Sequence, residues 1–219
     1  KPDRRQRQMC IRDRANIDNS SEAKESMKIG IDGIGLFRSE YLFMNKKRMP
    51  SENEQYDSLK KTLKYLKGKP LTIRTLDVGN DKKIPSIDRY LTKSPNPALG
   101  LRAIRLTLAF PKIFKRQISA ILRASKYGNI RIMLPMVSNV SELLEAKKLI
   151  SDVRNDLLSK KIKILEKHVD IGVLIETPAA ALISESIAKN CDFLAIGTND
   201  LTMYTLAIDR GDEAVSYTH

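Results

Sequence analysis

Short apolar runs recur along the chain, and each is followed by a segment with the periodicity of an amphipathic helix. The runs are Ile34 to Phe37, Leu71 to Leu76, Ile130 to Val137, Ile171 to Ile175 and Phe193 to Ile196. They are continuous rather than alternating, which is typical of parallel strands that are covered on both faces. The repeated order of strand and helix therefore predicts a parallel α/β sheet or barrel with right-handed crossovers.

Local signals support the predicted helices. The segment from Ser51 to Glu54 has the Ser-x-x-Glu spacing of a capping box, and Thr177-Pro178 places an N-cap before a proline at the first helical position. The stretch from Gly79 to Gly100 contains three prolines and no such periodicity. It is predicted to be a loop long enough to cover a site.

The composition indicates a globular protein. The chain has 219 residues, of which 42% are hydrophobic, enough for one domain of the larger α/β kind. No apolar run approaches the roughly 18 to 20 residues that span a bilayer, so no membrane insertion is predicted. Cys10 and Cys191 cannot form a disulfide framework and lie in no metal-binding motif, which favours a reducing, cytoplasmic setting. Cys191 precedes an apolar strand and is interpreted as a small core residue.

The formal net charge of +13 raises the question of nucleic-acid binding. Residues 1 to 14 hold six cations and two anions, and most of the remaining excess is lysine scattered through predicted helices, often beside glutamate. There is no basic stripe interleaved with aromatic residues and no helix-turn-helix pattern. The charge is interpreted as a solvated lysine-rich surface that includes His168, and no nucleic-acid partner is predicted.

The two ends of the chain do not fit the α/β pattern. The strings from Met9 to Arg14 and from Val215 to His219 resemble translated adapter read-through in sequencing data. Residues 1–14 and 215–219 are therefore predicted to be non-native tails, and residues 15–214 to form the domain.

Polar residues stand at or just beyond the carboxyl ends of the predicted strands. They are Arg38, Arg74, Glu176 and the pair Asn199-Asp200, with Arg210 a few residues further on. Ligands of parallel α/β folds bind at this end of the sheet. Arginine forks bind phosphate or carboxylate oxygens, and carboxylates supply oxygen ligands to Mg²⁺. The pattern predicts a site for a small phosphate ester held together with Mg²⁺.

Each of these residues has a simpler interpretation. Arg38 and Arg74 could be surface ion-pair partners, and Asp200 could be the cap of the helix that follows. Glu176 is harder to explain in this way, because it ends an apolar strand where a carboxylate must be paired, hydrated or metal-bound. The pattern alone supports an α/β phosphate-ester site and no narrower function.

Four segments give a more specific indication. They are Gly33 to Phe43, Ile73 to Asp77, Ile175 to Ala181, and Ile196 to Thr202 with Tyr204 to Arg210. In this order they closely resemble the enzyme I family of the bacterial sugar phosphotransferase system, and the similarity runs from about Ala15 to Ala214. Pyruvate phosphate dikinase and phosphoenolpyruvate synthase share the Thr-Asn-Asp element but usually continue differently where this chain has Tyr204 to Arg210.

The resemblance implies a (β/α)₈ TIM barrel that binds phosphoenolpyruvate, truncated here before its last two strands. It implies that Arg38, Arg74 and Arg210 bind phosphoenolpyruvate, that Asn199 contacts the phosphate, and that Glu176 and Asp200 are the Mg²⁺ ligands. Asp200 is counted with the substrate-binding residues as well. Arg102 matches another arginine near the site.

The activity implied is phosphoryl transfer from phosphoenolpyruvate to a histidine of the enzyme's own N-terminal domain, and then to the carrier protein HPr. This is the first step of sugar uptake, and the full-length protein is expected to be a homodimer. The family's general acid, a cysteine in a Gly-x-Cys-Gly-Glu loop, is expected beyond the C-terminus and does not match Cys191. The chain alone is therefore predicted to hold no catalytic residue and to be inactive.

Two alternatives stay open: a dikinase or synthase relative, and a non-catalytic paralogue that binds phosphoenolpyruvate. The sequence also departs from the family signature at two positions, where Met203 replaces the usual glutamine and Ala195 the usual serine. Both changes remove a hydrogen-bonding side chain near the predicted site.

Overall fold

The computed structural model describes residues 12–44, 46–80, 82, 84–91 and 95–209. Six strands form one sheet in which every neighbouring pair is parallel and the spatial order is the chain order. They are β1 (Arg14–Ile17), β2 (Gly33–Arg38), β3 (Leu71–Arg74), β4 (Ile130–Leu134), β5 (Asp170–Ile175) and β6 (Phe193–Ile196). This order lacks the reversal that defines a doubly wound sheet, and the strands form a curled half-barrel.

Eight α-helices lie along the described chain. They are α1 (Ser20–Lys28), α2 (Glu52–Leu66), α3 (Ala103–Ala109), α4 (Pro111–Ala124), α5 (Val140–Ser159), α6 (Pro178–Leu182), α7 (Ser184–Ala188) and α8 (Thr198–Leu206). Helix α2 packs against α1 and α4, and α4 packs against α5. Because right-handed crossovers that always advance in one direction place their helices on the same face, the helices form an outer layer.

All five predicted strands are confirmed, although β3 and β4 end two and three residues earlier than predicted. The capping box of α2 is present, with the Ser51 side chain accepting from the Glu54 N–H and the Glu54 side chain accepting from the Ser51 N–H. Thr177 caps α6, and Pro178 is its first residue. These local signals were sufficient because each depends on residues within one turn of the chain.

Strand β1 was not predicted. It begins at Arg14, the last residue of the predicted tail, and alternates polar Arg14 and Asn16 with apolar Ala15 and Ile17. Residues 1–11 and 210–219 lie outside the described part of the chain, so the assignment of both tails as non-native stays a prediction.

The core has two parts. The larger cluster fills the space between the sheet and the helices, with Ile34, Leu71, Ile132 and Val173 among its strand residues and half-buried Cys191 packed against it. The smaller cluster contains Phe43, Leu76, Val78, Ile84, Ile87, Leu106 and Ile113. Ile84 and Ile87 therefore anchor the predicted loop between Gly79 and Gly100, which includes a short 3₁₀ helix at Asp88–Tyr90.

Burial decreases toward the last strand. Within the described residues, β6 pairs only with β5, and neither β6 nor α8 contains a buried residue. Leu194 and Ile196 are 40% and 69% exposed. None of the described helices combines the length and apolar character that a membrane crossing requires.

Candidate functional site

The carboxyl ends of β2 and β3 place two arginines side by side. Arg38 is the last residue of β2, Arg74 is the last residue of β3, and the two are partners in the strand register. A cavity of about 470 Å³ opens at this end of the sheet. It is lined by Asn16, Leu36, Arg38, Glu40, Tyr41, Met44, Arg74, Asp77, Lys82, Arg102, Asn199 and Asp200.

The cavity brings together five of the predicted site residues, namely Arg38, Arg74, Arg102, Asn199 and Asp200. Glu176 follows β5 directly and is not part of the lining, but it interacts electrostatically with Arg74, Asp77 and Asp200. Arg210 lies outside the described residues.

A buried network of charges forms the floor of the cavity. Arg74 pairs with Glu40 and, at 3.1 Å from Nη2 to Oδ2, with Asp77. The other oxygen of Asp77 accepts from Arg102 Nη2 at 3.2 Å. Lys82 Nζ donates to Glu40 Oε1 at 3.0 Å. The network thus contains three cations and two carboxylates, and its formal excess of positive charge suits an anionic ligand.

Two members of this network, Asp77 and Arg74, are held in the ionised state by the charges around them. Burial would raise the pKa of Asp77, but Arg74, Lys82 and Arg102 outweigh it and keep the pKa of that carboxyl below its usual value. Burial would likewise lower the pKa of Arg74, and the negative charges of Asp77, Glu40 and Glu176 raise it instead. Arg74 is therefore a permanent buried cation beside the cavity.

Arg38 lies at the edge of the cavity, where its guanidinium group is already paired. Its Nε and Nη2 donate to the two carboxylate oxygens of Asp18 at 2.5 and 2.9 Å, and it stacks over the Tyr41 ring. The ion-pair interpretation thus describes one of its contacts correctly. The same contacts fix the orientation of Arg38, which still lines the cavity.

Glu176 is almost fully buried, and only one of its oxygens is satisfied. Oε1 accepts from the Met136 N–H at 2.7 Å, whereas Oε2 has no hydrogen-bond partner among the described residues. Burial raises the pKa of Glu176 to about 8, and the negative charges of Asp77 and Asp200 act in the same direction. The positive charge of Arg74 opposes this shift but does not outweigh it. A Cβ at Gly197 would lie 2.8 Å from Oε2, so a glycine is required for this approach.

These residues fit a magnesium ion. Glu176 and Asp200 are hard oxygen donors, and the unsatisfied Oε2 is the kind of group that a cation would complete. A nearby dication would also favour the ionised form of Glu176 that burial disfavours. The N-cap of α8 is Gly197, and Asp200 is the third residue of that helix, so the interpretation of Asp200 as the cap is wrong.

A second group of possible metal ligands lies at the opposite end of the sheet. His168, Asp170 and Asp192 stand at or just before the amino ends of β5 and β6, with donor atoms within 4.8 Å of one another. His168 is exposed, as predicted, and its Nε2 lies 2.7 Å from Asp192 Oδ2. This group is separate from the predicted Mg²⁺ ligands.

Sequence reasoning missed four residues of the site: Glu40, Asp77, Lys82 and Tyr204. Glu40 and Asp77 stand two and three residues after the predicted arginines, inside segments that carry the family resemblance. Their proximity to the strand ends was a usable signal. Lys82 and Tyr204 reach the site through a loop and a helix, and their positions could not be read from strand ends.

Two arginines at the ends of parallel strands, one of them buried, lie near two carboxylates suited to a dication, and this arrangement makes the fold an α/β half-barrel of the phosphate-ester-binding class. The chain belongs to the family described as PEP-utilising enzyme, PEP-binding domain, whose model matches residues 6–219. This confirms the resemblance to the enzyme I family.

Curated relatives agree with this assignment. Over 203 residues the chain is 44% identical to the phosphoenolpyruvate-protein phosphotransferase of Staphylococcus epidermidis, 43% to that of Priestia megaterium and 42% to that of Bacillus subtilis. Each comparison covers 93% of this chain and 35% of the relative. The chain therefore spans about a third of the length of the relatives it matches.

Proposed function

We propose that this chain is the phosphoenolpyruvate- and Mg²⁺-binding part of a phosphoenolpyruvate-protein phosphotransferase. One observation carries the proposal: a cavity with an excess of positive charge, formed by buried Arg74 and Arg102 and half-buried Lys82, lies next to the unsatisfied carboxylate of Glu176. A trianionic ester with its metal ion matches both halves of this arrangement.

The proposed reaction moves the phosphoryl group of phosphoenolpyruvate to a histidine of the enzyme's own N-terminal domain, and then to HPr. The names and lengths of the relatives support this proposal. Two further strands would complete a (β/α)₈ TIM barrel, and they would cover the exposed side of β6. A cytoplasmic homodimer is proposed on the same basis.

Positioning and charge neutralisation are the main tasks of a phosphoryl-transfer site. Arg74 and Arg102 are held by Asp77 and present fixed positive charge to the phosphate and carboxylate of the ester. Arg38 contributes from the cavity edge, and the Asn199 amide donates to a phosphate oxygen. Arg210 is assigned to the substrate by the resemblance alone.

Glu176 and Asp200 would hold the magnesium ion, which when bound neutralises charge on the phosphoryl oxygens. The enolate left after transfer must be protonated to give pyruvate, which requires a positioned general acid. The resemblance assigns that step to a cysteine in a Gly-x-Cys-Gly-Glu loop, which the 219 residues do not contain. No residue of this chain is given the role.

Calorimetry with phosphoenolpyruvate tests the binding proposal. We expect the chain to bind it more tightly with Mg²⁺ than without, and we expect N199A to weaken binding about tenfold through loss of a hydrogen bond to a charged group. R154A is the control, because Arg154 donates to backbone carbonyls of the segment between α5 and β5 and does not line the cavity. Failure of the wild-type chain to bind, or an equal loss in R154A, would refute the proposal.

Sequencing the parent gene outward from the codons of Ala15 and Ala214 would distinguish the phosphotransferase from its two alternatives. A phosphohistidine domain upstream and the Gly-x-Cys-Gly-Glu loop downstream would support the phosphotransferase. An ATP-binding domain upstream would favour the dikinase or synthase relative. A continued frame without the cysteine would favour a non-catalytic paralogue.

A further inference from the structure

The hydroxyl group of Tyr204 joins α8 to the segment that contains Ala98 and Arg102. Tyr204 lies in α8, the helix that carries Asn199 and Asp200. Its Oη donates to the carbonyl oxygen of Ala98 at 2.5 Å and accepts from Arg102 Nη1 at 3.2 Å. A phenol has one hydrogen to donate and lone pairs to accept with, so both bonds can be made together.

Arg102 is the residue that connects Tyr204 to the site. It is 2% exposed, and its other terminal nitrogen, Nη2, donates to Asp77 Oδ1 at 3.2 Å. Asp77 in turn pairs with Arg74. Tyr204 is therefore the outer end of a chain of hydrogen bonds that reaches the buried cation at the end of β3.

Ala98 belongs to an exposed segment. Residues 95–97, 99 and 100 are exposed and Ala98 is half-buried, without regular secondary structure from residue 95 to residue 101. The bond from Tyr204 crosses 106 positions of the sequence to reach it. This hydrogen bond therefore connects the exposed segment around Ala98 to α8, which is distant in the sequence.

We propose that Tyr204 is a positioning residue that holds the segment 95–102 against α8 and so fixes the Arg102 guanidinium group at the cavity. This inference rests on the proposed function, because its consequence is the binding of phosphoenolpyruvate. The planar guanidinium group of arginine binds an anion through two parallel hydrogen bonds. A guanidinium group that is not held in the correct orientation must be ordered on binding, which weakens the affinity for the anion.

The substitution Tyr204→Phe tests the proposal, because it removes the hydroxyl and leaves the ring. We expect phosphoenolpyruvate binding, measured by calorimetry with Mg²⁺, to weaken about tenfold. Tyr127→Phe is the matched control: the Tyr127 hydroxyl lies 2.9 Å from that of Tyr56 in the helical layer, away from the cavity. The control should bind as the wild type does.

A double-mutant cycle shows whether Tyr204 acts through Arg102. Arg102→Lys keeps the buried charge but replaces the fork by a point charge. If the proposal holds, adding Tyr204→Phe to Arg102→Lys changes binding by less than about twofold, because the group it positions is gone. A full tenfold loss in that background would overturn the proposal.

Amide hydrogen exchange of Asn96 and residues 98–101 without ligand supplies a readout that does not depend on binding. Tyr204→Phe should exchange faster there than the wild type and Tyr127→Phe. Equal exchange in all three proteins would show that Tyr204 does not hold the segment 95–102 against α8. Undiminished binding by Tyr204→Phe would show that Tyr204 does not position Arg102 for phosphoenolpyruvate. If the wild type itself binds no phosphoenolpyruvate, the proposed function fails. The exchange result still tests whether Tyr204 holds the segment 95–102 against α8.

Discussion

The protonation state of Glu176 is expected to control metal binding at the site. Its carboxylate is buried, one oxygen is held by the Met136 N–H, and its pKa is raised to about 8 by burial and by neighbouring carboxylates. Near neutral pH the metal-free chain therefore keeps a proton on Glu176 most of the time. A metal ion must displace this proton to bind, so Mg²⁺ affinity should increase as the pH rises toward 8.

The raised pKa of Glu176 makes stability depend on pH in a definite direction. Between its ordinary value of 4.5 and about 8, the folded chain holds a proton that the unfolded chain has released. The free energy of unfolding should therefore fall as the pH rises through this window. Glu176→Gln removes the effect, so its stability relative to the wild type should increase by a few kcal/mol from pH 5 to pH 8 in urea unfolding without Mg²⁺.

Glu185→Gln is the control for this experiment, because Glu185 is an exposed residue paired with Lys189 on α7. Its profile should run parallel to that of the wild type. A constant difference between Glu176→Gln and the wild type across the window would contradict the raised pKa.

The sequence could predict a site residue when the end of a strand determines its position, and could not when tertiary packing does. Arg38, Arg74 and Glu176 end their strands or directly follow them, so strand assignment alone located them. Lys82 acquires its role only when a loop brings it against Glu40 and Asp77. That proximity results from tertiary packing, and no spacing in the sequence encodes it.

At the scale of elements, the junction of β5 and α6 combines a structural and a functional role. Thr177 Oγ1 accepts from the Ala180 N–H and donates to the carbonyl oxygen of Val137, each at 3.1 Å. It therefore caps α6 and ties this junction to the segment after β4, next to Glu176. We expect the orientation of the Glu176 carboxylate to depend on this cap.

The substitution Thr177→Ala should affect both stability and binding. We expect a loss of about 1 to 2 kcal/mol in the free energy of unfolding, together with weaker Mg²⁺-dependent binding of phosphoenolpyruvate. Ser51→Ala removes the cap of α2, whose residues do not line the cavity, and should cost about 1 kcal/mol without changing binding. Urea unfolding and calorimetry measure the two effects. Equal binding by both variants would show that the cap of α6 does not orient Glu176.

Element prediction succeeded where a strand is a continuous apolar run and failed where it is not. Strands β2 to β6 appear in the sequence as continuous apolar runs. Strand β1 has only four residues, two of them polar, and its pairing with β2 is irregular between Ala15 and Asn16. Pairing with β2 rather than its own composition makes this segment a strand.

At the scale of the whole molecule, packing is uneven along the sheet. Strands β3 to β5 are covered by the helical layer, whereas β6 and α8 contain no buried residue within the described chain. Asn199 and Asp200, on α8, therefore sit on the less stable side of the site. We expect that ligand binding orders this side more than the other.

Amide hydrogen exchange measures this difference. The amides of β6 and α8 should exchange faster than those of β3 and β4, because local opening there exposes little additional apolar surface. Phosphoenolpyruvate with Mg²⁺ should slow exchange in α8 and leave β4 unchanged. Uniform protection across the sheet would contradict the prediction.

The order of the strands also bears on how the protein is made. Each strand from β2 onward pairs with the strand synthesised just before it. A chain leaving the ribosome can therefore extend the described sheet from β1 to β6 one strand and helix at a time. During translation each strand from β2 to β5 is an exposed edge of the sheet only until the next strand pairs with it.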